Sequence, residues 1–213
     1  MTDTPRSGPA PDRAKQLFIL AILALAAPAV WADEAFWFQP AHPHWDHIRP
    51  FLPALTLHIM GGVVALIVGA FQFSSRLRRA RPDIHRLMGK TYLAATALGG
   101  PSALYIQIRN AEGAFQWAAY AHSVTWMLAT AMAFWCVRLR DFDNHRLWMM
   151  RSYAMCLLFI TLRAPDAIPG FHLDDAGNTA LEFGQIFVAL LGIEVVESVR
   201  RNRKLATKRA GRQ

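Results

Sequence analysis

Apolar residues in this chain come in long runs separated by short polar segments. The runs extend from Leu17 to about Trp31, Leu52 to Phe73, about Leu87 to Ile108, Phe115 to Val137, Leu147 to about Leu162 and about Ala180 to Val199. Roughly 20 apolar residues at about 1.5 Å each suffice to cross about 30 Å of hydrocarbon, so each run has the length class of a membrane span. Lipid offers the backbone no partners, and the helices must satisfy their own hydrogen bonds. The pattern therefore predicts an all-α polytopic membrane protein of about six transmembrane helices, the second to fifth forming an up-down four-helix bundle. Residues 1–16 would be a cytoplasmic tail, 17–199 the membrane domain, and 200–213 a basic cytoplasmic tail.

Composition agrees: 54% of the 213 residues are hydrophobic and 18% charged, too apolar a balance for an ordinary soluble domain. The net charge of +8 would by itself suggest nucleic acid, but the positions of the charges point to topology. Twenty of the 23 Lys and Arg fall on alternate segments, leaving only Arg49, Arg109 and Arg163 on the others. Such a split orients every helix with both termini in the cytoplasm, as expected for an inner-membrane protein. The tail residues from Arg200 to Arg212 would lie against anionic headgroups, and no nucleic-acid partner is expected. The first run, with Arg13 and Lys15 before it and Val30-Trp31-Ala32 after it, also fits a cleavable signal peptide, which would reduce the helices to five. Cys136 and Cys156 both fall inside runs, so no disulfide framework or thiolate metal site is indicated.

Ionisable side chains at membrane depth are expensive and mark functional sites. His58 and His122 lie at similar depth in the outer halves of the second and fourth runs, while His85 and His145 precede the third and fifth at the cytoplasmic side. In an up-down bundle these are diagonal pairs, each offering two imidazoles across the core. Two facing imidazoles are what bis-histidine ligation of haem b requires. From His122 to Cys136 is roughly 21 Å of helix, room for two stacked haems. Small residues accompany the histidines: His58, Gly62, Ala65, Gly69 and Gln72 share one helical face, and His85, Gly89, Tyr92, Thr96 and Gly99 another. They would recess a porphyrin, or equally let two bare helices approach closely. The histidines have alternatives too, snorkelling beside Arg86 and Arg146 or bonding across helices without a cofactor.

If haem is present, Arg86, Arg146 and Arg151 are the expected propionate partners, because a guanidinium matches a carboxylate in a bidentate fork. Most tryptophans read as interfacial anchors, Trp148 among them. The outer loop holds His42, His44, Asp46 and His47, side chains able to bind zinc or copper, in a spacing that also suits an ordinary polar loop. No glycine-rich nucleotide loop and no nucleophile with a base is present, so hydrolysis and phosphoryl transfer have no support.

Two blocks are distinctive: His85-Arg86-Leu87-Met88-Gly89-Lys90-Thr91-Tyr92 and His145-Arg146-Leu147-Trp148-Met149-Met150-Arg151-Ser152-Tyr153-Ala154. They resemble the signature blocks of domain-of-unknown-function family 2306 (DUF2306), bacterial membrane proteins. The stretch His58 to Phe73 resembles the block preceding them, and the family implies no activity. In architecture the chain is also similar to the ascorbate-reducing transmembrane cytochromes b, with six helices and haem-ligating histidines on helices two to five. His58 departs from that pattern, since the second-helix ligand there would lie at the cytoplasmic end. The expectation is a haem b electron-transfer protein with a quinone or other redox partner. Its rivals are a cofactor-free transporter or lipid-interacting scaffold with a buried polar network, and a metal-handling protein using the outer loop.

Overall fold

A computed structural model describes residues 24, 28, 31, 38, 39, 41–110, 113–162, 165, 168, 170, 171 and 173–210. The first apolar run and Arg163 lie outside this set almost entirely and entirely, respectively. All regular elements among the described residues are helical. They are α1 (His44–Ile48), a 3-10 turn, α2 (Leu52–Gln72), α3 (Ser75–Ala80), α4 (Pro82–Asn110), α5 (Gly113–Arg138), α6 (Phe142–Cys156), the single turn α7 (Leu158–Thr161), α8 (Asp175–Phe187), a π-helical turn (Val188–Gly192) and α9 (Ile193–Ala210).

The helices outrun the apolar segments that announce them. Pro82 opens α4, where its missing N–H costs nothing and its fixed φ suits a first turn. The Asp141 side chain caps α6 by accepting from the Asn144 backbone N–H. His85 and His145 therefore sit inside helices and not before them. Hydropathy marks the lipid-facing part of a helix, whereas caps mark its end.

The helices α2, α4, α5 and α6 form a ring in which chain neighbours touch and α6 closes back on α2. Thus α2 stands diagonal to α5 and α4 to α6, as the up-down bundle requires. Helix α8 lies outside the ring against α5. Among the described residues, two helical stretches, Trp45–Gln72 and Asp175–Val199, are long and apolar enough by composition to cross a membrane.

Large apolar side chains such as Trp117, Leu128 and Phe187 point outward, while Ser152, Thr130, Ser123 and Gln72 are buried. A soluble bundle would have the reverse arrangement, and an apolar exterior of this extent suits lipid. Helices without a hydrophobic force between them associate by close packing and interhelical hydrogen bonds. Both are present. A Cβ on Gly61 would lie 2.7 Å from the Ala95 carbonyl and 2.9 Å from the Gly99 Cα, so α2 and α4 meet backbone to backbone. A Cβ on Gly69 would strike the Tyr153 and Tyr92 rings. In the centre, the Tyr92 hydroxyl meets Ser152 Oγ at 2.8 Å and Cys156 Sγ at 3.3 Å, and Ser152 meets Thr130 Oγ1 at 2.6 Å. Tyr153 donates to the Leu66 carbonyl, tying α6 to α2.

Candidate functional site

The four histidines divide between the two ends of the bundle. At the end that carries Arg81 and Asp141, the basic end, are His85 on α4 and His145 on α6. At the far end are His58 on α2 and His122 on α5. Each pair spans a diagonal of the ring. His58 and His122 border one cavity of about 190 Å³, and His145 lies near enough to His85 for its charge to act there.

Within each pair one imidazole is anchored. His58 Nδ1 lies 3.2 Å from the Gly99 carbonyl, and His145 Nδ1 lies 2.8 Å from the Ala133 carbonyl. A carbonyl only accepts, so Nδ1 must carry the proton in both rings, and Nε2 bears the lone pair. A backbone-anchored Nδ1–H is the usual support of a metal-ligating histidine, although it equally serves a structural one. Facing each is a ring whose Nδ1 is buried without a hydrogen-bond partner, His122 at the far end and His85 at the basic end. Such an atom ordinarily costs about 1–3 kcal/mol, which a ligand or water would recover.

The glycines separate by role. Gly61, Gly69 and Gly99 lie in helix contacts, Gly99 facing the Gly61 Cα and the His58 carbonyl. Gly62 and Gly89, each one turn after a histidine, are different. A Cβ on Gly62 would meet nothing within 4 Å, and one on Gly89 would meet only the Gln72 Oε1 at 3.8 Å. Gly62 itself lines the far-end cavity. Open space therefore lies beside both His58 and His85, next to imidazoles carried by opposed helices.

Arg86 and Arg146 are exposed at the basic end beside their histidines. Arg151 is differently employed. Its side chain is 11% exposed and forms a 2.7 Å ion pair with Glu194 of α9. Its Nε donates to the Leu190 carbonyl in the π turn, and its guanidinium lies 4.5 Å from the Trp148 ring centre. Arg151 thus fastens the last helix to α6, and Trp148 is its platform.

In the outer loop, His42 and Asp46 are exposed around α1, and the side chain of His44 lies outside the described residues. Among the described residues no three His, Cys, Asp or Glu side chains converge to hold a metal ion.

With this geometry in view, the comparison with known families is decisive for kinship. The chain belongs to the family described as "Predicted membrane protein (DUF2306)", whose family model matches residues 55–193. No curated protein and no solved structure matches it. The matched span contains all four histidines and both blocks of this DUF2306 chain, and it begins after the outer loop with His42, His44 and His47. It also contains Glu182, which lies in neither block. Glu182 is 3% exposed on α8 and lines the far-end cavity with His58 and His122. One signal was available: it is the sole acid between Asp175 and Glu194, inside an apolar run.

Proposed function

We propose that this DUF2306 protein is a haem b electron carrier of the membrane, with His58 and His122 as one axial pair and His85 and His145 as the other. The observation that carries the reading is that His58 and His122, from diagonal helices, border a single cavity with open space beside Gly62. Arg86 and Arg146 are the expected propionate partners at the basic end; Arg151, already paired with Glu194, is a weaker one. When bound, the haem would supply one-electron chemistry, with a quinone as the natural membrane-soluble redox partner. The chain's own contribution is to fix the imidazoles. The Gly99 and Ala133 carbonyls hold His58 and His145 in one tautomer and orientation. The orientation expected from the charge pattern puts the far-end pair toward the periplasm and the other toward the cytoplasm.

The test is optical. Protein expressed with ample haem and purified in detergent should give a dithionite-reduced minus oxidised spectrum with sharp haem b bands. A colourless preparation would remove the proposal.

The second reading, a cofactor-free membrane protein, is favoured by one observation: the Tyr92–Ser152–Thr130 network satisfies the middle of the bundle with no cofactor. The same spectrum separates the two.

A further inference from the structure

The far-end cavity has more chemistry than two axial histidines need. Of the four buried side-chain polar atoms without a hydrogen-bond partner among the described residues, three belong to residues that border it: His122 Nδ1, Trp126 Nε1 and Glu182 Oε2. They come from two helices, α5 inside the ring and α8 outside it. Glu182 is also the one buried residue of α8. A lipid-facing helix whose single buried position is an acid has been placed to deliver that acid inward.

The rest of the lining states what the cavity accepts. Phe115, Met155, Leu158 and Leu162 make it largely apolar, and among the described residues no Lys or Arg lines it. A neutral, ring-borne polar group needs no counter-charge from these residues. Gln107 and Ser123, also in the lining, already bond each other. The unused groups are an indole N–H, which only donates, and a carboxyl group, which when neutral both donates and accepts. They complement a ring-borne oxygen, carbonyl or hydroxyl, on an otherwise apolar molecule.

We propose that this cavity, when no haem occupies it, binds the head group of a lipid-soluble quinone or quinol, with the Glu182 carboxyl and the Trp126 indole N–H as its hydrogen-bond partners. The choice of a quinone among such molecules rests on the electron-carrier reading above; the binding of an oxygen-bearing ring by Glu182 and Trp126 does not.

The experiment is equilibrium binding of a decyl-substituted benzoquinone to the purified full chain in detergent, measured with the protein as isolated. Wild type should bind saturably. Glu182→Ala and Trp126→Phe should each weaken binding about tenfold, the loss of one hydrogen bond in a buried site. Glu182→Gln, which keeps a donor and an acceptor at nearly constant volume, should retain most of the affinity. Leu128→Ala, on the outer surface, should bind as wild type does. Circular dichroism of every variant identifies any that fails to fold, and the Gln variant then decides. No saturable binding to wild type, or wild-type affinity in both Glu182→Ala and Trp126→Phe, overturns the proposal. The optical test reports separately: quinone binding lost in Glu182→Ala in a colourless protein would keep this site and end the haem reading, and haem bands without quinone binding would do the opposite.

Discussion

The imidazole of His58 reaches across the α2–α4 seam to donate to the carbonyl of Gly99, at 3.2 Å. That contact depends on Gly61, because only a missing side chain lets the two backbones come so close. Packing and site geometry are therefore one arrangement at this point of the bundle.

Adjacent glycines of α2 should consequently behave in opposite ways. Gly61→Ala forces a Cβ into backbone atoms of α4 and should lower stability by about 1–3 kcal/mol. Gly62→Ala faces open space and should change it by no more than about 0.5 kcal/mol. Thermal unfolding in detergent measures both, and equal effects would contradict the close approach. Gly62→Leu should fold yet lose the far-end haem, because its side chain fills the recess.

If each diagonal pair holds its own haem, the spectrum should divide accordingly. His58→Ala and His122→Ala should remove the same component of the reduced-minus-oxidised bands, and His85→Ala and His145→Ala the other. Redox titration of the four variants makes the comparison. Loss of both components in every variant would mean that the histidines support folding and do not ligate separately.

Ser152 joins Tyr92 to Thr130 at the centre of the bundle and is completely buried. Ser152→Ala deletes one hydroxyl and leaves Tyr92 only Cys156 Sγ and Thr130 only the Trp126 carbonyl, a cost of about 0.5–1.5 kcal/mol. Leu128→Ala, toward lipid, should cost less than this. Denaturation of the two variants in the same detergent ranks them.

The ion pair between Arg151 and Glu194 should be visible as coupling. A double-mutant cycle of Arg151→Ala and Glu194→Gln should return roughly 0.5–1 kcal/mol, reduced by salt because the Glu194 side chain is 47% exposed. Limited proteolysis should also cut α9 faster in Arg151→Ala, since its ties to Leu190 and Glu194 are lost together.

Acid should weaken the start of α6. The Asn144 side-chain amide, and after it the Asn144 backbone N–H, hold the Asp141 carboxyl below the usual carboxylate range. A group depressed in the folded state contributes in full above its unfolded value, about 4, and loses that contribution as pH falls through the folded value. The gap in unfolding temperature between wild type and Asp141→Ala should therefore narrow as pH falls from about 6 to about 3. A constant gap would show that the cap acts without its charge.

Sequence alone determined the class of this protein. Unbroken apolar runs of about 20 residues fix helices in lipid, because a segment of that pattern satisfies its own backbone there only as a helix, and regular alternation of short links fixes which helices are neighbours and which are diagonal. The pairing of His58 with His122 and of His85 with His145 was legible for that reason, being a matter of depth and topology. Tertiary structure decided which residues share a space. Gly62 and Gly61 are identical in sequence, and only the crossing of α2 and α4 makes one a recess and the other a contact. Arg151 reads as a propionate partner until α9 brings Glu194 to it, and Glu182 is an isolated acid until α8 lies against α5 and turns it toward His122. Such roles arise from contacts between segments far apart in the chain, and no local spacing encodes them.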